Sequence, residues 1–437
     1  MIDRRVFLKS AALSSLLTVA PDAFHQSDAL AQTENPAEKP TLPPAIADLK
    51  SRKEEAHPIS PAERGARQQR ARELMSDYKI DAVLMVGGTS LRYFTGIGWG
   101  NSERFSGFVL PRKGDAFCIS PAFEEERLRE QMKLFPDGDR VRILIWQEDE
   151  DPYPLLARGL RDAGFATGMI GIEERTSFVF VDGLAKASPA YTLTSATPVT
   201  AGCRSIKSEH ELALMKLANE ITLTAYEAAW KSIHDGVTTH ELRDLVMRAY
   251  AQQGFPQGEA SVQTGEFTAQ PHGSIQPQVI REGAIVMIDD GCLVEGYQAD
   301  ITRTLVLGKP TDKMKAVFEV VHKAQAMALG AARPGVECQS IDAAARKVID
   351  DAGFGPGYAH FTHRVGHGIG MDMHEWPYLV KGNRQKTAAR MTFSDEPGIY
   401  LRGEFGVRLE DDMHITENGA ELFTPQSPSL DDPFGQA

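Results

Sequence analysis

Apolar and polar positions follow two different rhythms along this chain, and the rhythm changes near residue 207. Between about Pro61 and Pro198, short apolar runs alternate with stretches of helical periodicity. The pattern predicts a helix over about Pro61–Tyr78 and a strand over Ala82–Val86. Gly87, Gly88, Gly96, Gly98 and Gly100 punctuate the next stretch. Further strands are expected near Gly107–Leu110, Ala116–Ile119 and Val141–Trp146, and helices near Glu124–Met132 and Pro154–Ala163. Alternation of this kind describes an α/β domain. From Lys207 a long amphipathic helix begins, with Leu212, Leu214, Met215, Leu217, Ile221 and Leu223 on its apolar face.

A repeat then emerges. AYEAAWKSIHDGVTTHELRDLVMRAYAQQGF starts at Ala225, and AQAMALGAARPGVECQSIDAAARKVIDDAGF starts 99 residues later at Ala324. Gly236-Val237 and Gly254-Phe255 fall on Gly335-Val336 and Gly353-Phe354. Each copy reads helix, Gly-Val turn, helix, Gly-Phe stop. A strand-rich region with a His-Gly pair comes after each: His272-Gly273 in the first, His367-Gly368 in the second. Two similar α+β halves about a pseudo-two-fold axis are predicted, with a shared site on that axis.

Two acid-bearing ribbons come next in the halves. Asp289 (VMIDDG) and Asp300 (YQADITRT) lie 11 residues apart; Glu396 (FSDEPG) and Glu410 (VRLEDD) lie 14 apart. Each pair reads as a hairpin with one carboxylate per arm and a glycine (Gly291, Gly398) two residues after the first acid. Side chains two apart on a strand share a face. Thr302 should therefore stand beside Asp300, and Arg408 beside Glu410 and Asp412, where each can orient a carboxylate. Asp290 and Asp395 should point away, as solvated or capping acids. Four carboxylates and the His367 imidazole at one point repel strongly unless cations hold them. Two divalent ions balance the four charges, and a bridging hydroxide leaves the cluster near −1. That favours a dinuclear centre, with ions roughly 3.5–4 Å apart. Hard oxygen and nitrogen donors suit Mn²⁺, with Zn²⁺, Co²⁺ or Fe²⁺ as substitutes.

The stretches IDDGCLVEGYQADITRT, HRVGHGIGMDMHEWP, FSDEPGIY and GVRLEDD, in this order, resemble the pita-bread metallopeptidases: aminopeptidase P, prolidase and their relatives. The likeness covers about Lys207–Thr424. Residues Pro61–Pro198, with LRYFTGIG, resemble the amino-terminal domain of the creatinase and prolidase branch. The resemblance implies Asp289, Asp300, His367, Glu396 and Glu410 as metal ligands, and His272, His363 and His374 as further active-site histidines. It implies hydrolysis of Xaa-Pro peptide bonds by a metal-bridging hydroxide. Glu396 would move the proton, His272 and His374 would assist the tetrahedral intermediate, and Arg408 would support the cage. It further implies a homodimer or homotetramer. Arg364, Arg384 and Arg402 are open candidates for binding a substrate carboxylate, which a dipeptidase needs and an aminopeptidase does not. Two other classes stay open: a metal-dependent lyase or amidase of the same fold, and a non-catalytic periplasmic binding protein. HEWP lacks the second histidine of a zincin helix. GHGIG lacks the dinucleotide glycine spacing, and no nucleophile elbow is present.

Length and charge narrow the picture further. The 437 residues predict about two domains plus tails, and a net charge of −13 argues against a general nucleic-acid partner. Cys118, Cys203, Cys292 and Cys338 are scattered and read as buried small hydrophobes. DRRVFLK at Asp3–Lys9 resembles a twin-arginine export signal, with an apolar run too short for a membrane span behind it and a small-residue cleavage site at Ala29-Leu30-Ala31. The expected organisation is therefore a signal peptide over 1–31, a linker over 32–60, a creatinase-like domain over 61–203, a catalytic domain over 204–424 and a frayed tail over 425–437. The expected location is periplasmic or secreted.

Overall fold

In the computed structural model, residues 41–134 and 138–435 are described. The twin-arginine motif and its cleavage site lie outside these residues. Pro43–Ala437 forms one compact unit.

The amino-terminal half is a six-stranded sheet between two helical layers. Strand order is Arg142–Trp146, Phe117–Pro121, Gly107–Pro111, Ala82–Met85, Gly168–Ile172, Tyr191–Ser195. Ala82–Met85 pairs antiparallel with Gly107–Pro111 and parallel with Gly168–Ile172. Its four residues are all buried, which is why the sequence shows a continuous apolar run. Alternation still decides the partners. Val83 and Met85 face Ala71, Leu74 and Met75 of the helix Pro61–Tyr78 and Val199 of the helix Thr197–Arg204. Ala82 and Leu84 face Leu156 and Leu160 of Pro154–Asp162 and Leu184 of Phe178–Ala187. The helix Pro61–Tyr78 keeps its predicted bounds because both ends are specified. Ser60 and Glu63 form a capping box, and Lys79 closes it in a left-handed conformation.

The carboxy-terminal half contains the repeat. Helices Glu209–Trp230 and Thr239–Gln252 cover the sheet Arg303–Val306, Ile285–Asp289, Ser261–Thr264. Helices Asp312–Ala331 and Cys338–Ile349 cover the sheet Glu375–Leu379, Gly366–Gly368, Thr392–Asp395, Asp411–Ile415, Ala420–Leu422. The ribbon Gly398–Leu401/Phe405–Arg408 stands beside them. The glycines that mark the repeat are there for their backbone. Gly236 and Gly335 have φ of 93° and 83°, and Gly254 and Gly353 of 97° and 87°, a region that suits residues without a Cβ.

Two expectations need correction. Residues 43–60 do not behave as a free linker: Ile46 is fully buried, Arg52 N–H donates to Gln253 O at 2.9 Å, and Arg52 pairs with Glu220 at 2.8 Å. The proline- and charge-rich composition concealed a docking segment. Nor is the segment after Thr424 frayed throughout. Leu430 joins the core of the second repeat, Ser427 is buried, and Pro425 O accepts from Arg303 Nη2 at 2.9 Å. Among the described residues, no helix is long and apolar enough to cross a membrane. All four cysteines are buried and unbridged.

Candidate active site

Both acid ribbons form, but the acids sit at strand ends instead of within the arms. Asp289 closes Ile285–Asp289, and Asp300 lies ahead of its partner Arg303–Val306. Glu396 comes directly after Thr392–Asp395, and Glu410 immediately precedes the paired Asp411–Ile415. Leaving the ladder frees these residues to tie the two repeats together. Glu410 N–H donates to Thr302 O at 3.2 Å, and Asp300 N–H donates to Asp412 Oδ2 at 3.0 Å. The four acids therefore meet where the halves are stitched, as a pseudo-two-fold site requires.

His367 is the pivot. Its Nδ1 lies 3.1 Å from Gly368 O, and a carbonyl can only accept, so the proton is on Nδ1. Nε2 is left with a bare lone pair, 3.4 Å from Glu396 Oε1 and 3.6 Å from Asp300 Oδ2. Ligand atoms of His367, Glu396 and Glu410, and separately those of Asp289, Asp300 and Glu410, lie within 4.8 Å of one another. All five border one cavity of about 590 Å³, together with His272, His363, His374 and Arg408. The five expected from the acid ribbons and His367, and the four further residues the resemblance implies, are thus brought to one place.

Thr302 and Arg408 brace the acids. Thr302 Oγ1 is 2.5 Å from Asp289 Oδ1 and 2.6 Å from Glu410 Oε2, and it accepts from Arg408 Nε at 2.8 Å. Thr302 thus hydrogen-bonds two of the acids, as its place on the strand suggested. Arg408 Nη2 also donates to Asp289 Oδ2. A directed chain continues from there. Arg408 Nη1 donates to Tyr400 Oη at 3.1 Å, and the Tyr400 hydroxyl donates to His363 Nε2 at 2.7 Å. His363 Nδ1–H donates to Arg364 O at 2.8 Å. Both His363 nitrogens are engaged, which makes its ring an orienting group beside Glu396. Tyr400 escaped the sequence reading; its only signal is its place at the end of FSDEPGIY. His374 packs on His367 with ring centroids 3.9 Å apart, and the exposed His272 also lines the cavity.

Burial and mutual repulsion dominate the electrostatics. Burial, then Asp289 and Asp412, push Asp300 well above the usual carboxylate range, and burial with Asp300 and Glu396 does the same for Glu410. Burial raises Glu396 to about 7 although Arg408 opposes it. Burial lowers His367 far below its ordinary value, and it lowers His363 to about 3 with help from Arg408. The imidazoles are therefore neutral donors, while the carboxylates outnumber the single buried guanidinium among them. A neutral ring with a bare nitrogen aimed into crowded carboxylates fits divalent cations.

The neighbouring acids differ from expectation. Asp290 borders the cavity instead of turning from it, with φ of 82° and a carboxyl raised to about 7 by burial and Asp289. Asp395 is not solvated: it is fully buried, and burial with Asp411 pushes its carboxyl well up. Of the three candidate arginines, Arg364 lines the cavity, Arg402 borders a separate hollow with Glu266 and Phe267, and Arg384 is exposed.

Comparison with known proteins agrees with this geometry. Residues 213–417 match metallopeptidase family M24, and residues 67–206 match the creatinase/prolidase N-terminal domain. The Xaa-Pro dipeptidase of Pyrococcus furiosus is 30% identical over 82% of this chain and 97% of that protein. The dipeptidase PepE from Mycobacterium ulcerans superposes with a TM-score of 0.79 at 30% identity, covering 86% of this chain and 99% of that one. The X-Pro aminopeptidase from Thermotoga maritima superposes at 0.71 with 28% identity, covering 83% and 98%.

Proposed function

Because the chain belongs to metallopeptidase family M24, we propose that it is a dinuclear Xaa-Pro dipeptidase. The observation that carries this reading is the bare His367 Nε2 amid four converging carboxylates in one cleft. Asp289, Asp300, His367, Glu396 and Glu410 would hold two divalent ions, Mn²⁺ by donor hardness. Bound there, the ions would supply Lewis acidity and an activated water.

The chain's own groups do the rest. Glu396, beside His363 and His367, would accept a proton from water and return it to the leaving proline nitrogen. His374 and His272, which both line the cavity, offer hydrogen bonds to the oxygen that gains charge. Arg408 and Thr302 fix Asp289 and Glu410 in place. Arg364 supports the dipeptidase choice over aminopeptidase P. Its guanidinium lies over the Tyr378 ring at 4.2 Å and has no ion pair to any described carboxylate. Its one long polar contact, to His374 Nδ1 at 3.5 Å, leaves charge to offer a substrate carboxylate.

The test is hydrolysis of a Xaa-Pro dipeptide beside a Xaa-Pro-Xaa tripeptide, with mass spectrometry of the products, before and after chelation and Mn²⁺ return. Preference for the dipeptide, lost on chelation, is expected. Cleavage of neither by metal-loaded protein refutes the reading, and a non-hydrolytic product would point to a lyase. We further propose export through the twin-arginine motif at Arg4-Arg5, and assembly as a homodimer or homotetramer. Export is supported by the motif and the family resemblance supports assembly.

A further inference from the structure

We propose that Asp372 is a positioning residue through which the amino-terminal domain sets the placement of His374. His374 stands on an irregular stretch between the strands Gly366–Gly368 and Glu375–Leu379. Its exposed ring has one polar contact of its own, Arg364 Nη2 at 3.5 Å from Nδ1. The ring also packs on His367 with centroids 3.9 Å apart, and the path of its backbone decides whether it can keep that seat.

That path is held from the other domain. Asp372 Oδ1 accepts from Thr89 Oγ1 at 2.6 Å and pairs with Arg175 Nη1 at 3.1 Å, and Asp372 Oδ2 accepts from Arg204 Nη2 at 2.5 Å. Thr89 opens the helix Thr89–Thr95, Arg175 lies in the loop after Gly168–Ile172, and Arg204 ends Thr197–Arg204. Three separate elements thus converge on one carboxylate. Arg204 also holds Glu375 Oε1 at 2.5 Å, the same oxygen that accepts from Asp372 N–H at 3.0 Å. Arg175 Nη2 reaches His374 O at 3.5 Å, and Met371 packs against the amino-terminal core. From the opposite side, Gly370 O accepts from Gln298 N–H of the first repeat at 2.8 Å. The stretch bearing His374 is suspended between domains, and small displacements of a reacting group cost rate steeply.

The inference rests on the peptidase reading, and its test separates the two. Thr89→Val, Arg175→Gln and Asp372→Asn are made alone and with His374→Ala. The single variants should lower kcat by about 3- to 10-fold for Thr89 and Arg175 and more for Asp372, with KM within about 2-fold and metal content unchanged. Arg175→Lys should recover most of the loss. Each effect should vanish in the His374→Ala background, because groups acting through one another are not additive. Hydrogen exchange over 369–376 should accelerate without change elsewhere. Multiplicative losses with His374→Ala, or unchanged kcat despite faster exchange, would overturn the proposal. If Asp372→Asn fails to fold, Thr89→Val and Arg175→Gln decide. A wild type without Xaa-Pro turnover sinks the peptidase reading and this one with it; an active wild type with multiplicative doubles sinks this one alone.

Discussion

Arg364→Gln gives the sharpest test of substrate choice. The guanidinium borders the cavity, stacks on Tyr378 at 4.2 Å and has no ion pair to any described carboxylate. Two unit charges 4 Å apart attract by roughly 4 kcal/mol at an effective dielectric of about 20. Arg364 is partly exposed, so both charges give up hydration, and the net falls to the charge-assisted range of about 1.5–3 kcal/mol. At about 1.36 kcal/mol per decade this is a loss of roughly 10- to 150-fold in kcat/KM. The assay compares a Xaa-Pro dipeptide with its C-terminal amide, which has the same scissile bond and no carboxylate. The free acid should lose the full factor in the variant, while the amide changes less than about 3-fold. Arg364 also depresses His374, after burial, so an effect through that ring would strike both substrates. Equal losses would refute the carboxylate role. So would a wild type that cleaves acid and amide equally well.

Three further outcomes are expected. Thr302→Val keeps the shape but removes the hydroxyl between Asp289, Glu410 and Arg408; metal affinity by isothermal titration should fall about 10- to 100-fold, and unchanged affinity would refute the bracing role. Glu375 is buried, and although burial raises it, Arg204 and Lys207 hold it at about 2 against an ordinary 4.5. Its folded value is depressed, so its stabilisation is complete above pH 4.5 and is lost as pH falls toward 2, on the order of 3 kcal/mol. The denaturant-measured stability gap between wild type and Glu375→Gln should therefore close by about that amount from pH 5 to pH 2, and a constant gap would count against the pairing. Finally, Arg4→Lys combined with Arg5→Lys should retain the chain in the cytoplasmic fraction if the twin-arginine proposal holds, as a fractionation blot would reveal.

The sequence exposed some features well because one local fact determined each. The bounds of Pro61–Tyr78 stem from Ser60, Glu63 and a left-handed Lys79. The repeat was visible because its glycines occupy the same positive-φ turns in both copies. The four converging carboxylates were legible because acids adjoining apolar strands are costly without a partner, and His367 because its His-Gly pair repeats that of His272. Features that depend on contacts between distant segments stayed hidden. Tyr400 matters only because Arg408 and His363 fold to either side of it. The segment 43–60 looked unstructured by composition, yet Arg52 finds Glu220 and Gln253 on the first repeat's helices.

The strand argument shows where local reasoning ends. Period-two alternation put Thr302 among the acids but could not say which it would bind, because Asp300 lies outside the ladder while Asp289 and Glu410 reach Thr302 from elsewhere in the chain. The two repeats need Asp300 N–H and Glu410 N–H to bind across the axis, and a residue that does so cannot also keep its strand partner. Departure from the regular pattern is thus the means by which the carboxylates turn toward one another. The same logic applies to His374, whose irregular stretch leaves its polar groups to be satisfied by Thr89, Arg175 and Arg204 from the other domain. In this chain the site's acids lie at or beyond strand ends, and periodicity can find their neighbourhood but not their aim.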